Sequence, residues 1–313
     1  MIGYILRRLG WSVVVLLAIA IATFVVTYLL PADPARMIAG IRATPEDVAR
    51  IRHALGLDEP LPVQLVGYLA RVAQGDFGHS YIQNKDVLSL VLDRFPATLQ
   101  LAVAGLAVAL AIGLPLGVFA ATRRGRWQDR TSTLLTTVLL AAPSFLVGYL
   151  LLNFLAFQPQ LLFHVEIFPI GGYKPFDPRY LFLPAITLGI AVAAYYTRLT
   201  RTAMIEELSK DYLTTARAKG VTQRRVLWRH AFKNALAPVL GQIGLDFGFF
   251  LGGVVVVERV FSWPGIGKLA VDSIVTADVP LILGTVLFGT FCVVLANLAV
   301  DVMQAVIDPR IRV

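Results

Sequence analysis

The chain has 313 residues, of which 57% are hydrophobic and only 15% charged, and its mean hydropathy is +0.71. A soluble core cannot bury so large an apolar fraction, so lipid must be the solvent for much of the chain. The single cysteine, Cys292, excludes an intramolecular disulfide and any cysteine cluster for zinc or iron–sulfur.

Six apolar runs are long enough to cross a bilayer as helices. A hydrocarbon core of about 30 Å needs roughly 20 residues, and backbone groups without water are satisfied only in helices or closed barrels. The first run follows the basic start MIGYILRRLG and is too long for the apolar region of a cleaved signal peptide, so we predict a retained anchor. The predicted spans cover residues 9–30, 97–121, 133–157, 181–197, 237–257 and 279–300.

Helix-breaking residues recur within these spans. Examples are the stretch GLPLG at 113–117, Pro143, and Pro238 near the start of the fifth span. Proline and glycine are common in membrane helices, where singly they mark kinks or close packing. Together they fit a bundle that bends.

Lysine and arginine are distributed unevenly between the loops on the two sides. With both termini inside, the inner segments carry 17 of the 28 basic residues and six of the 20 acidic residues. An excess of Lys and Arg marks the cytoplasmic side of a membrane protein, so the net charge of +8 is interpreted as a topology signal. It gives little support to nucleic-acid binding, because the charge is spread over membrane-flanking loops and forms no patch with stacking aromatics.

The segment after the first span is the largest piece predicted outside. Thr44 is a candidate N-cap, followed by a proline at the first helical position, Asp47 three residues after the cap, and Gly56 as the stop. A second helix is predicted after Pro62 and to end by Gly75. Their apolar stripes predict helices that lie on the membrane surface or against the spans, forming a small cap.

The most polar long segment is DYLTTARAKGVTQRRVLWRHAFKNAL, residues 211–236, which lies inside between the fourth and fifth spans. A helix is predicted over 209–219, with Tyr212, Ala216 and Lys219 on one face. The residues around them are small. A helix with such a surface can lie deep in a groove of another protein, because its backbone can approach closely.

A sharp bend is predicted after this helix. Gly220 suits the left-handed conformation that ends a helix, and Thr222 can cap a second helix that runs directly into the fifth span. The pattern indicates a lever made of a docking helix, a bend and a membrane helix. The alternative is a basic juxtamembrane helix that binds anionic lipid head groups. The basic residues of the second helix are Arg224, Arg225, Arg229 and Lys233.

Asp246 is the one ionisable residue well inside a predicted span, and Gln242 lies one turn earlier on the same face. A carboxylate in hydrocarbon is costly and ordinarily marks a functional site. Asp246 could contact a positively charged substrate group or metal cation on a transport path. The alternative is a polar lock between helices or against a second subunit.

The segment ERVFSWPGIGKL precedes the sixth span. Pro264 and the two glycines that follow predict a turn, with Phe261 and Trp263 placed to re-enter the membrane interface. A re-entrant loop and an aromatic belt with an ordinary turn are both compatible with this spacing.

Catalytic motifs are not found in the sequence. The stretch PGIGKL lacks the first glycine and the final Ser or Thr of a phosphate-binding loop, so the chain is not expected to hydrolyse ATP. The four histidines are scattered and none forms a zinc motif with a glutamate. We therefore predict a non-catalytic subunit without a metal site or cofactor of its own.

Three stretches, in one order over nearly the whole length, resemble the inner-membrane permease subunits of ATP-binding-cassette (ABC) importers in their dipeptide and oligopeptide branch. They are LGLDEPLPVQLVGYL…GDFGHS, DYLTTARAKG…RHAFKNAL and ERVFSWPGIGKL…DVPL. The general family signature, Glu-Ala-Ala followed by Gly, aligns with Thr214, Thr215, Ala216 and Gly220, of which only the last two match. These departures are similar to those of the peptide branch.

The resemblance implies an all-α integral membrane protein with six transmembrane helices, the type I ABC importer permease fold and cytoplasmic termini. Residues 1–95 would form the first helix and the extracytoplasmic helical segment, and 96–313 a five-helix permease core. It also implies a bacterial inner-membrane complex with a second, different permease, two ABC ATPases that bind ATP and Mg²⁺, and an extracytoplasmic substrate-binding protein. The expected cargo is short peptides; nickel, glutathione or haem, and a non-transport lipid-binding scaffold or sensor, are the alternatives.

The resemblance also implies that residues 211–225 form a coupling helix that docks on an ATPase. Gln242, Asp246, Phe261 and Trp263 are predicted to line the substrate path. The residues predicted to couple to the ATPase are Asp211, Tyr212, Thr215, Ala216, Arg217, Ala218, Lys219, Gly220, Arg224 and Arg225.

Overall fold

The computed structural model describes residues 2–28, 34–39, 43–54 and 56–307 of the chain, and they are predominantly helical. Residues 29–30 of the first predicted span and the C-terminal residues 308–313 lie outside this part. The helices are α1 (Ile2–Tyr28), α2 (Pro34–Ala39), α3 (Pro45–Ala54), α4 (Leu61–Ala73), α5 (Val87–Thr122), α6 (Trp127–Ala141), α7 (Ser144–Leu152), α8 (Gln158–Phe163), α9 (Pro178–Leu208), α10 (Asp211–Ala218), α11 (Gln223–Arg225), α12 (Phe232–Leu251), α13 (Val255–Val260), α14 (Ile266–Val275) and α15 (Val279–Ile307). Two short strands, β1 (His79–Ser80) and β2 (Lys85–Asp86), form an antiparallel hairpin, and π-helical turns occupy Asn153–Phe157 and Val226–Ala231.

Six helical stretches of the described chain are long and apolar enough to cross a membrane, as predicted. Helix α5 continues through the stretch GLPLG without a break. The stretches are Leu6–Val26, Val87–Thr122, Ser144–Phe163, Pro178–Leu208, Gln223–Leu251 and Val279–Val302.

Two predicted span boundaries are wrong. The third span is not continuous over 133–157, because Pro143 has no N–H and forces Ala142 into an extended conformation (φ −74°, ψ 125°) that ends α6. The fifth span ends at Leu251 and does not reach residue 257, because Gly253 adopts φ +106°. Both errors arise because local backbone geometry overrides a run of apolar residues.

The described residues form two compact units, while the proposed division at residue 95 stays a prediction. The first unit draws on Met1–Thr98, Leu251–Val255 and Pro264–Val313, and the second on Leu99–Phe250 and Val256–Trp263.

In the first unit, α1 packs on α15 and α4. Phe24 stacks on Tyr68, with ring centroids 5.7 Å apart, beside buried Leu283 and Leu287. The hairpin is held by Asp278, whose Oδ2 accepts hydrogen bonds from the Ser80 hydroxyl and the Ile82 N–H. Buried polar groups need such partners, so this carboxylate positions the hairpin against the start of α15.

The predicted start of α3 is confirmed as a reciprocal capping arrangement. The Asp47 N–H donates to Thr44 Oγ1 at 3.2 Å, and the Thr44 N–H donates to Asp47 Oδ2 at 3.2 Å. These bonds satisfy donors that the first turn of a helix leaves without partners. Gly56, with φ +66°, follows the helix as predicted.

In the second unit, α5 packs on α9 through glycines. A Cβ at Gly113 would lie 2.7 Å from Tyr196 Cβ and 2.8 Å from the Ala193 carbonyl oxygen. One at Gly117 would lie 2.6 Å from Thr200 Cβ. Real Cβ atoms do not approach so closely, so glycine at these positions lets the two backbones meet. The glycines predicted as kinks or close-packing sites thus act as packing sites.

A buried ion pair joins α6 to α9. Asp129 accepts from Arg201 Nε at 2.5 Å and Nη2 at 2.8 Å, and from the Gly125 N–H at 2.9 Å. The Arg201 hydrogen bonds are the main reason that the pKa of Asp129 falls from 3.8 to about 2. Because the folded-state pKa is lowered, this stabilisation is fully present above pH 3.8 and is lost as the pH falls through about 2.

The glycine contact between α5 and α9 can be tested with Gly113→Ala. Because the added methyl group meets backbone, we expect the helices to separate locally and the free energy of unfolding to fall by about 1–3 kcal/mol. Thermal unfolding of the purified protein in detergent measures this. Gly10→Ala in α1 is the matched control, since its Cβ would meet no atom of the described chain within 4 Å. Equal melting temperatures for the two variants would contradict this packing.

Candidate functional site

The polar inner segment folds as a helix, a bend and a second helix. Helix α10 covers Asp211–Ala218, and Gly220 follows with φ +77°, the left-handed conformation predicted for it. From Gln223 the chain is helical without interruption to Leu251. Thr222 stands at the start of this second helix, but within the described residues no side-chain hydrogen bond caps it there. The helix–bend–helix geometry of the predicted lever is therefore present in the fold, and the docking of α10 on a partner stays a prediction.

Helix α10 has one buried face and one exposed face. Leu213 is fully buried in a cluster with Met204, Val226 and Ala231, and Ala216 packs against this cluster. Ala216 therefore lies at the edge of the buried face, whereas the sequence placed it on one face with Tyr212 and Lys219. The other predicted coupling residues are exposed: Asp211, Tyr212, Thr215, Arg217, Ala218, Lys219, Gly220, Arg224 and Arg225.

A polar cluster underneath α10 centres on Glu207 in the last turn of α9, and sequence reasoning missed it. The carboxylate is only 5% exposed and accepts hydrogen bonds from Lys210 Nζ at 2.6 Å, Tyr212 Oη at 2.6 Å and Asn234 Nδ2 at 3.2 Å. Asn234 Nδ2 also lies 2.9 Å from Tyr212 Oη, which can accept this bond. We call Glu207, Lys210, Tyr212 and Asn234 the Glu207 cluster.

Two pKa shifts reflect the environment of the cluster. The Glu207 carboxylate raises the pKa of Lys210, because it stabilises the charged ammonium. Burial, and then the neighbouring carboxylate, raise the pKa of Tyr212. Both pKa shifts are in the direction that favours the protonated forms of Lys210 and Tyr212, in which each side chain donates to Glu207.

Within the membrane-spanning part, Asp246 and Gln242 belong to a second polar cluster. Asp246 accepts from Gln242 Nε2 at 2.9 Å and, across the helices, from Tyr196 Oη at 2.8 Å. Tyr195 Oη lies 3.4 Å from Gln242 Oε1. The hydrogen bond between α9 and α12 favours the alternative in which Asp246 locks two helices together. Asp246 and Gln242 are only half-buried, so part of each side chain remains accessible. The path assignment of Asp246 and Gln242 stays a prediction.

Phe261 and Trp263, also predicted for the path, are buried within the second unit. Trp263 packs edge-to-face on Tyr173 with centroids 4.7 Å apart, and the Phe261 carbonyl accepts from the Gly172 N–H at 2.9 Å. An aromatic belt requires rings exposed to the lipid interface, so that alternative is wrong for these two rings. A path role for either stays a prediction.

Comparison with protein families covers the chain almost completely. Residues 113–313 match the family described as "Binding-protein-dependent transport system inner membrane component". Residues 1–102 match the corresponding N-terminal family of transport-system membrane components. These matches favour a transport subunit over the alternative function that the basic inner loop had left open, a lipid-binding scaffold or sensor.

Relatives that match over the whole chain are named as permease proteins. The chain is 41% identical to the "Glutathione transport system permease protein GsiC" of Salmonella choleraesuis (strain SC-B67), over 100% of this chain and 99% of the relative. It is 39% identical to GsiC of Escherichia coli (strain K12), with the same coverage.

Among solved structures, a chain of the inward-facing MetNI methionine ABC transporter has a similar fold. The TM-score is 0.54 at 17% identity, over 71% of this chain and 97% of the other. With the six apolar helices, this likeness supports the type I permease fold. The family match and the permease relatives place the chain in the bacterial inner membrane as a multi-pass protein. The chain belongs to the inner-membrane permease subunits of binding-protein-dependent ABC importers, in the branch that includes the peptide and glutathione systems.

Proposed function

We propose that this permease imports short peptides, including the tripeptide glutathione, which a substrate-binding protein delivers. The observation that carries the proposal is the 41% identity, over the whole chain, to a permease named for glutathione transport. Dipeptides and glutathione share a protonated amine, carboxylates and peptide bonds, so one polar path can accept both. A second, different permease is expected to complete the path.

We further propose that α10 docks in a groove of an ATPase subunit, which carries ATP and Mg²⁺. The support is that its outer face is exposed and includes the small residues Thr215 and Ala218, while Leu213 anchors its inner face. A helix that is exposed on one face and packed on the other can transmit a movement of the ATPase to the membrane helices. Two ATPases are expected in the complex, each on one permease.

The position of Asp246 supports a path or a subunit contact on that side of the helix. Lipid cannot solvate an ionised carboxylate, so a half-exposed one within a span must face water or protein. Two hydrogen bonds leave lone pairs of the carboxylate unused, because a carboxylate has about four acceptor positions. These positions can receive the ammonium group of a peptide.

Uptake by the whole complex in proteoliposomes, with its binding protein and ATP, tests the substrate class. We expect a labelled dipeptide and labelled glutathione to enter and to compete with each other, because they share charged termini. Nickel and haem should not compete. Entry of nickel or haem without either peptide would make the substrate class wrong while leaving the permease fold unaffected.

Gly220→Val tests the coupling lever. A β-branched residue disfavours φ +77° strongly, so we expect the bend to change and ATP-dependent uptake to fall at least about tenfold. Gly75→Val is the matched control in the predicted extracytoplasmic segment: its φ is +82°, and at both sites an added Cβ meets no described atom within 4 Å. If both variants lose the same uptake, strain alone is responsible and the lever is not supported.

Asp246→Asn and Tyr196→Phe separate the two roles of the membrane cluster. If the carboxylate receives substrate, Asp246→Asn should raise the KM for uptake about tenfold with the complex intact, because a charged contact is lost. Tyr196→Phe, which keeps the carboxylate, should have a much smaller effect. Equal KM values for the two variants would show that Asp246 serves only the lock. Uptake at varied substrate concentration and subunit recovery on purification are the two measurements.

A further inference from the structure

The Glu207 cluster joins three structural elements at one carboxylate. Glu207 belongs to α9, Lys210 and Tyr212 lie at the start of α10, and Asn234 lies at the start of α12. Because Tyr212 and Asn234 also bond to each other, each pair among α9, α10 and α12 is linked directly. Such a closed set of contacts resists displacement of any one element.

The apolar cluster beneath α10 strengthens the same junction. It combines Met204 of α9, Leu213 of α10, Val226 and Ala231 of the π-helical turn, and Ala235 of α12. Apolar packing is non-directional and permits sliding, whereas hydrogen bonds to an acceptor oxygen are directional. The carboxylate therefore supplies the orientation that the apolar contacts lack.

The two ends of α10 differ in the contacts that attach them to the neighbouring helices. Its N-terminal end is attached by Tyr212 to the Glu207 carboxylate. Its C-terminal end runs into Gly220, where no described atom lies within 4 Å of an added Cβ, and then into Thr222 without a side-chain cap in the described chain. A force on α10 therefore has a directional route to α9 and α12 at the N-terminal end, whereas within the described residues Ala216 and Val221 hold the C-terminal end by apolar contacts alone.

We propose that Glu207 is a positioning residue for coupling: the side-chain oxygen that accepts from both Tyr212 and Asn234 makes α10 and the cytoplasmic ends of α9 and α12 move as one body. The inference rests on the docking of α10 proposed above and assigns the residue through which the movement reaches the membrane helices. Loss of this acceptor oxygen leaves the exposed small residues of α10, Thr215 and Ala218, unchanged. ATP hydrolysis would then continue without proportionate transport.

The test measures substrate uptake and ATP hydrolysis in the same proteoliposomes, and takes their ratio. Glu207→Ala removes all three acceptor contacts, so uptake per ATP should fall about tenfold while ATPase subunits still co-purify. Glu207→Gln keeps an oxygen for Tyr212 and Asn234 and loses only the ion pair with half-exposed Lys210, so its ratio should stay near that of the unmodified complex. Lys210→Met, the matched variant from the other side of that pair, should behave like Glu207→Gln.

Asn234→Ala keeps the proposal testable if Glu207→Ala does not fold. Asn234 is exposed and lies outside the docking face, and its removal cuts the contact of α12 with the carboxylate. We expect a lowered uptake-to-ATP ratio in a fully assembled complex. An unchanged ratio in Asn234→Ala, or a ratio lowered equally in Glu207→Gln and Glu207→Ala, would overturn the proposal.

A separate variant distinguishes a wrong assignment of Glu207 from a wrong assignment of α10 as the docking helix. Thr215→Trp places a large ring on the exposed face of α10 and should prevent co-purification of the ATPases. If the ATPases remain bound to this variant with normal uptake, α10 is not the docking helix and both proposals fail. If they are lost while Asn234→Ala stays fully coupled, docking stands and only the role of Glu207 is wrong.

Discussion

The fold depends on one constraint: hydrocarbon offers no hydrogen-bonding partner to a peptide group. Each span must therefore satisfy its backbone internally, and the described spans are helical or briefly π-helical throughout. At Pro143, where the proline lacks a donor, the helix stops and a new one begins with Ser144, whereas α9 and α12 continue through Pro184 and Pro238. Polar side chains inside the spans also lack partners in hydrocarbon, so they must form hydrogen bonds with a neighbouring helix or with water in a cavity.

Close packing in such a bundle cannot come from the hydrophobic effect alone, because lipid tails are as apolar as the side chains. The contact between α5 and α9 relies on glycine, which brings backbone atoms within van der Waals range. The buried Asp129–Arg201 pair then joins α6 to the cytoplasmic half of α9. Helix α9 is thus held along its length by two different kinds of contact, and its last turn carries Glu207.

Features with a local cause could be predicted from the sequence. Six spans follow from apolar run length, the start of α3 from the spacing of Thr44 and Asp47, and the bend after α10 from Gly220. The motifs also identified the permease family correctly. Contacts between residues far apart in the chain were not predictable: Glu207 and Asn234 are 27 positions apart, and Tyr196 and Asp246 are 50 apart. The only local signal for the Glu207 cluster was the Glu207–Lys210 spacing, which is common on exposed helices.

Two carboxylates of the second unit, buried Glu207 and half-buried Asp246, illustrate how surroundings favour the different roles proposed for them. Glu207 has three side-chain donors, one of them charged, at the cytoplasmic end of α9. Asp246 has two neutral donors and a partly open side within a span. A fully bonded carboxylate is suited to holding elements together, because moving any donor away leaves a poorly solvated charge. A partly bonded one keeps acceptor capacity for a group that arrives and leaves, which is what a transport path requires and a rigid junction does not.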